Sequence, residues 1–384
     1  MSAVTVLYLE PLGDIMGGGQ RSLLDIVTRL DPQRYHPVVV CGWDGTLAER
    51  LRVLGVTVYV LSMPTLKYPW RRAVRQAVEQ LEHLVQQEHV ALVHANQLRV
   101  ALYSIQATRR THVPVLFHAR CPLYHQFVGR RWVDRYLATH CRAVVAVSES
   151  VATRFRGFCE PSRLFVLYNG TDLDTFSVHV DRTVLRRRFG VADNAPLIGI
   201  VGLLEPRRGH TVLIQAFSDI LKQYPEAHLL IVGMDAHGYE GYGEYLRRLA
   251  VRDGISNHVT FTGFLNEMPL VMGSLDLCVV PGLQEEGFGR VVIEAGAMRC
   301  PVVATPLGAL RELVEDNVTG LLVPPRDPSA LVQAIRKLLD SPAVARQLGA
   351  AARQRVEERF ALTVMTRRMH QIYDEVIGAA ALVA

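Results

Sequence analysis

Short runs of β-branched and aliphatic residues alternate along the chain with longer stretches in which apolar positions recur every three or four residues. In the first half the runs 4–9, 37–41, 56–61, 91–94, 113–118, 143–147 and 164–167 have strand length, and helical patterns lie between them, from about 20 to 30 and, most clearly, over 71–87. The second half repeats the alternation, with strand runs at 197–201, 228–232, 259–262, 277–280 and 301–304 and helices beginning near Gly209, Gly243, Met268, Phe288 and Ala309. Strands alternating with helices predict parallel sheets covered on both faces. The expected fold class is therefore α/β, with two facing doubly wound, Rossmann-like domains over 1–180 and 190–360. The break is expected in the charged stretch 176–195, which ends in the turn-like Asp193-Asn194-Ala195-Pro196. The tail, 328–339, 343–359 and 363–377, is helical and has no strand signal; its last part, 361–384, is expected to tie the two domains together. Ligands of doubly wound sheets bind at the carboxyl ends of the strands, so two facing domains imply a cleft lined by strand-end loops.

A length of 384 residues suits two cores of this kind. No apolar run is long enough to span a bilayer, and the first ten residues lack the basic and small-residue features of a secretory leader, so a cytoplasmic location is expected. The six cysteines, Cys41, Cys121, Cys141, Cys159, Cys278 and Cys300, form no metal-like spacing; Cys278 and Cys300 stand among strand valines and are expected as buried thiols. Charge is uneven. Residues 1–190 carry 24 Lys and Arg against 15 Asp and Glu, and the remainder 18 against 22, so the first half is basic and the second mildly acidic. A basic half suits an anionic partner: a nucleic acid, a membrane surface or a phosphate-bearing substrate. The basic residues form no single run and no nucleic-acid motif, so no nucleic-acid partner is expected.

Five motifs carry candidate chemistry. Gly17-Gly18-Gly19-Gln20-Arg21 lies between a strand and a helix, where glycines let backbone amides approach a phosphate, although a flexible turn is an equal alternative. Gly202-Leu203-Leu204-Glu205-Pro206-Arg207-Arg208-Gly209 puts two arginines at a helix start, an end that disfavours cations unless an anion is held there. In Glu285-Glu286-Gly287-Phe288-Gly289-Arg290-Val291-Val292-Ile293-Glu294 the two glycines allow Glu286 a place in the loop and Glu294 one on the helix. A carboxylate in the apolar run around Glu294 needs partners, which hydroxyls of a sugar or ribose, or a core salt bridge, could supply. His118 ends a strand and is followed by Ala119-Arg120. Tyr168-Asn169-Gly170-Thr171-Asp172 is read as a turn at the hinge.

In this order, and over nearly the whole chain, the motifs resemble the retaining glycosyltransferase family 4, whose fold is GT-B. Glu286 to Glu294 resembles its Glu-x7-Glu signature, Gly17 to Arg21 its N-terminal glycine loop, Phe117-His118 its strand-end histidine, Leu167 to Asp172 its Asn-Gly turn, Gly202 to Gly209 its GRLxxxKG loop, and Thr305 to Glu312 its GGxxE loop. The resemblance implies that the second domain holds a nucleotide diphosphate. It makes Arg208 a phosphate ligand, Glu294 the ribose ligand and Glu286 the ligand of donor-sugar hydroxyls. It puts His118 beside the transferred sugar, with Gly18 and Gly19 lending amides near the diphosphate. His118, Arg208 and Glu286 are thus the expected catalytic residues, and Gly18, Gly19, Arg207, Phe288, Gly289 and Glu294 the expected donor-binding ones. Two positions depart from the pattern: Leu203 stands where an arginine is usual and Arg208 where a lysine is usual. Losing a cation beside a leaving diphosphate acts directly on rate; the adjacent Arg207 is the candidate substitute.

The expected function is therefore transfer of a sugar, with retention, from a UDP-sugar or GDP-sugar to a hydroxyl acceptor, with a cell-envelope glycan or a lipid-linked molecule as the candidate acceptors. A nucleotide-sugar 2-epimerase and a binding protein with a decayed site are the alternatives. No carboxylate is evidently placed as a nucleophile, so front-face attack is favoured, with the leaving phosphate oxygen helping to deprotonate the acceptor. No Asp-x-Asp stands where a metal–nucleotide site is expected, so no cofactor and no essential metal are expected. Two basic, aromatic stretches, 67–72 with Arg75 and 124–136, suit either an anionic membrane surface or solvated helices anchored in the core.

Overall fold

The computed structural model describes residues 3–66, 72–121 and 129–381. The chain divides into two compact units, Met1–Gly170 with Leu362–Ala384, and Thr171–Ala361. The division thus falls ahead of the expected break at 176–195, and the final segment, read from sequence as a separate element over 361–384, belongs to the first unit.

The first unit is built on seven parallel strands: β1 (Val4–Glu10), β2 (Tyr35–Cys41), β3 (Thr57–Val60), β4 (Val90–Ala95), β5 (Val115–Ala119), β6 (Ala143–Ala146) and β7 (Leu164–Val166). Their order is β3-β2-β1-β4-β5-β6-β7. Residues 6–9 of β1 are without exposed surface, as a strand covered on both faces requires. One covering element is the last helix, Leu362–Ala381. Its Leu362, Met365, Met369, Ile372, Tyr373 and Val376, spaced at helical intervals, join Val6, Tyr8, Leu23 and Ile26 in one core. Each fully buried aliphatic side chain there stabilises by about 1.5–3 kcal/mol, so this helix is a structural part of the unit.

The second unit has six parallel strands: β8 (Leu197–Val201), β9 (His228–Val232), β10 (Val259–Gly263), β11 (Leu277–Val280), β12 (Val302–Ala304) and β13 (Leu321–Leu322), ordered β10-β9-β8-β11-β12-β13. Two tail helices complete it. Pro328–Asp340 starts on an Asp327 cap that accepts from the Ala330 amide at 2.9 Å and packs on the helix His210–Leu221; Pro342–Arg359 packs on Arg290–Ala297. Five cysteines are buried, Cys121 is exposed and none of the six is in a disulfide; burial pushes the Cys278 thiol up to about 12.

Both sheets reverse their strand order once, between β1 and β4 in the first unit and between β8 and β11 in the second. A crevice opens at such a reversal because successive connections leave on opposite faces. Gly18 and Gly19 follow β1, Arg207 and Arg208 follow β8, and Glu286, Phe288, Gly289 and Glu294 follow β11, while His118 lies in β5, beside β4.

Candidate functional site

In the first unit β1 ends on Glu10, which is followed by the loop to Gly17 and the helix Gly18–Val27. Gly17 caps that helix in an extended conformation with no side-chain hydrogen bond, and the first turn holds no acidic residue, so Gly18 and Gly19 open an uncapped helix N-terminus. Arg120, one residue beyond β5, draws three of the sequence motifs together. Its Nη1 donates to Ser22 Oγ (2.9 Å) and Asn169 Oδ1 (3.2 Å), its Nε to Asn96 Oδ1 (2.5 Å) and its Nη2 to His118 Nδ1 (3.2 Å). Ser22 Oγ also donates to Asn169 Oδ1 at 2.7 Å. The glycine loop, the strand-end histidine and the Asn-Gly turn are therefore one site, and Asn169 has a definite job that its reading as a hinge turn missed.

Glu10, without exposed surface, is the carboxylate at the bottom of this cluster. It accepts from Asn96 Nδ2 (2.6 Å), Gln97 Nε2 (2.9 Å), Gln20 Nε2 (3.1 Å) and the Leu12 amide (3.3 Å). Burial raises its pKa, opposed by the Asn96 and Gln20 bonds and by the Arg120 charge. With four donors on it, Glu10 organises the loop from beneath. His118 is buried and its pKa lies well below the ordinary value, through burial first and then the positive charge of Arg120.

In the second unit Arg207 and Arg208 lie on a 3-10 turn, Pro206–Arg208, directly ahead of the helix His210–Leu221. Gly209 joins turn to helix at φ 79°, and a Cβ there would stand 1.9 Å from the Pro281 carbonyl oxygen, so no other residue fits. This contact pulls the loop after β8 against the loop after β11. The arginines meet two carboxylates. Arg207 Nη2 lies 2.6 Å and Arg208 Nε 3.3 Å from Glu205 Oε1; Arg208 Nη1 lies 2.8 Å and Arg207 Nη1 3.3 Å from Glu286 Oε2. Glu205, which sequence reasoning passed over, thus completes a square of two cations and two anions. Two carboxylates of the protein thus partner the arginines here, where the sequence pointed to a bound anion of the phosphate type.

Glu286 is in the loop and Glu294 on the helix Arg290–Ala297, as the two glycines predict. Glu286 is pinned by its backbone: its carbonyl accepts from the Ala309 amide at 2.9 Å, which joins the Glu-x7-Glu loop to the loop of residues 305–312. Gly289, at φ 95°, caps the helix with no side-chain bond and no acidic first turn. Glu294 faces Arg290 (3.4 Å) with about an eighth of its side chain exposed, so an intrahelical ion pair, the salt-bridge alternative left open from sequence, partners it here. The Phe288 ring is buried, edge-on to Phe360 at 6.3 Å between centroids, and anchors the loop. Any contact of residue 288 with a ligand must come from its backbone.

Of the two basic aromatic stretches, 67–71 and 122–128 lie outside the described residues. On the helix Arg130–His140, Trp132 is 74 % exposed and stacks on Tyr136, which in turn stacks on His140 at 4.0 Å. Among the described residues no helix is long and apolar enough to cross a membrane.

Two family models match the chain: one described as Glycosyltransferase Family 4 over residues 16–175 and one as Glycosyl transferases group 1 over 181–355. A solved structure of Anabaena HepE in complex with UDP and glucose superposes with a TM-score of 0.85, at 24 % identity, covering 96 % of this chain and 99 % of that one. The fold is GT-B. The chain is 31 % identical over 64 % of its length to a GDP-mannose-dependent monoacylated alpha-(1-6)-phosphatidylinositol monomannoside mannosyltransferase of Corynebacterium glutamicum, of which it spans 65 %. It is 29 % identical over 90 % of its length to a GDP-mannose-dependent alpha-(1-6)-phosphatidylinositol monomannoside mannosyltransferase of Mycobacterium tuberculosis, of which it spans 91 %. With one model on each unit, the chain belongs to glycosyltransferase family 4.

Proposed function

We propose that this glycosyltransferase moves a sugar, with retention of configuration, from a nucleotide-diphosphate sugar to a hydroxyl acceptor, and does so without an essential metal. The observation that carries the proposal is the square of Arg207, Arg208, Glu205 and Glu286 at the strand-order reversal of the second unit. There the nucleotide diphosphate is held by two guanidinium forks and by the uncapped N-termini of the helices His210–Leu221 and Arg290–Ala297. Arg207 and Arg208 are each ion-paired to Glu205 and Glu286, so the nucleotide diphosphate reaches the guanidinium groups by exchanging with these carboxylates, with Arg207 standing in for the arginine that Leu203 replaces. Two arginines on this loop favour a working enzyme over a decayed binding protein. Glu286 meets donor-sugar hydroxyls, Glu294 the ribose, and His118 the transferred sugar. Glu10, engaged by four donors, is a poor nucleophile, which favours front-face attack, with catalysis through positioning and charge stabilisation.

The named relatives make GDP-mannose the first donor to try, with an inositol-lipid acceptor; the HepE complex makes UDP-glucose the second. An exposed Trp132 on a basic helix agrees with docking on an anionic membrane surface where a lipid-linked acceptor is presented. A thermal-shift series with GDP, UDP and their sugar conjugates tests the donor site. At a hundred times its dissociation constant the true nucleotide stabilises the protein by about 2.7 kcal/mol. The shift should disappear in Arg208→Ala and Glu294→Ala. No shift with any nucleotide diphosphate would end the proposal.

A further inference from the structure

A row of buried side chains runs from the core of the first unit to His118. Tyr8 Oη lies 2.6 Å from Tyr373 Oη, Tyr373 Oη 2.6 Å from His94 Nδ1, His94 Nε2 3.0 Å from His118 Nδ1, and Arg120 Nη2 3.2 Å from that same Nδ1. The direction of every proton follows from Arg120. A guanidinium can only donate, so His118 Nδ1 must offer its lone pair and the ring must carry its proton on Nε2. His94 Nε2 then donates to that lone pair, which leaves His94 Nδ1 to accept from the Tyr373 hydroxyl. The Tyr373 oxygen, its proton committed, accepts from Tyr8. Reversing any one of these bonds sets two protons, or two lone pairs, against each other elsewhere in the row. Burial pushes the pKa values of both tyrosines up and those of both histidines well down, and Arg120 lowers the histidines further. All four rings are therefore neutral near neutral pH. The row ends at His118 Nε2, a buried atom with no hydrogen-bond partner among the described residues. A buried donor left unpaired is costly, and its retention points to an acceptor that arrives with a ligand.

We propose that His94 and Tyr373 are positioning residues that hold His118 in a single tautomer, so that its Nε2–H is a fixed hydrogen-bond donor to an oxygen of the transferred sugar and never a base. The proposal rests on the assignment of His118 to that sugar. It makes a residue of the last helix, 365 positions from its partner Tyr8, part of the machinery of the strand-end site.

Histidine-selective 15N spectra of the full chain test the tautomers without any substrate. Both His94 and His118 should be protonated at Nε2 and bare at Nδ1 at neutral pH. A His118 protonated at Nδ1, or cationic, overturns the proposal. Tyr373→Phe should mix the His94 tautomers and shift the His118 signals, whereas Tyr8→Phe, at the far end of the row, should leave both rings unchanged. Equal spectra from the two variants refute the direction of the row. In turnover with the nucleotide sugar, His118→Gln keeps an N–H near the Nε2 position and should stay within about tenfold of the wild type, while His118→Ala should lose about a hundredfold. Equal losses would mean that His118 is a base. Tyr373→Phe should lower kcat about tenfold with the donor KM nearly unchanged, the mark of an interaction made in the transition state. A fall in thermal stability alone, with no histidine change, would make Tyr373 merely structural. If no nucleotide sugar binds at all, the functional assignment fails, and the spectra still decide the tautomer.

Discussion

Glycine opens the helix Gly18–Val27 for one of two reasons, and substitution separates them. Gly19 is in the first turn of that helix and is not among the residues with positive φ. A Cβ on it would meet the Arg120 Cδ at 3.5 Å, an ordinary contact. Neither backbone nor packing demands glycine there, so Gly19→Ala should fold normally and gain up to about 0.5–1 kcal/mol from the better helix former. For a unit of this size that raises Tm by a few degrees at most, at roughly 2–4 °C per kcal/mol. What the methyl group should block is the close approach of a phosphate to the amides of the helix N-terminus. Loss of one hydrogen bond to a charged group is worth about 1.5–3 kcal/mol, or roughly 10–150-fold in affinity or turnover. Gly209→Ala is the contrasting case. Its φ of 79° and the 1.9 Å approach to the Pro281 oxygen predict a loss of stability, of which the left-handed backbone alone accounts for about 1–2 kcal/mol. Differential scanning fluorimetry of both variants, followed by titration with the nucleotide sugar, gives the answer. If Gly19→Ala melts well below the wild type, the glycine is structural. If it binds and turns over like the wild type, no ligand approaches this amide and the reasoning is wrong.

Two further expectations concern pH and metal. His210 is buried, and burial, with the neighbouring Arg208 charge, lowers its pKa to about 4. Between that value and the unfolded value of about 6.5 the unfolded chain binds a proton that the folded chain refuses, so stability is complete above about 6.5 and falls as the solution is acidified, by about 1.4 kcal/mol per pH unit for this group. His94 and His118, lowered in the same sense, add to it. Urea midpoints at pH 7 and pH 5 should record the loss and His210→Phe should reduce it; a flat profile would contradict the burial argument. Turnover should be unchanged in excess EDTA, whereas a loss restored by magnesium would show that a metal assists the leaving diphosphate.

The two sheets were legible because parallel strands covered on both faces run apolar almost without interruption, as β1 and β9 do. β13 was missed because two residues, Leu321 and Leu322, are too few to make a pattern. The periodicity of residues 363–377 announces a helix with one apolar face but says nothing of which core receives it, so the place of the last helix in the first unit was not readable. The placement of Glu286 in a loop and Glu294 on a helix was legible because their glycines break a periodic run. Arg120, Ser22, Asn96 and Glu10 were not, because each is a single polar residue whose meaning arises only where strand ends converge. The burial of the Phe288 ring was not readable for a related reason: Phe360, which it meets edge-on, lies far along the chain.

The placement of the helix Leu362–Ala381 bears on the birth of the molecule. The ribosome makes residues 1–170 first, yet their core waits for Met365, Met369 and Tyr373, which emerge only after the whole of Thr171–Ala361. Domains made in simple succession fold in the order of synthesis, at roughly 5–20 residues per second. Here the order is inverted: the unit begun first is finished last, and until the final helix arrives Tyr8 stands in an open half-core without its hydroxyl partner.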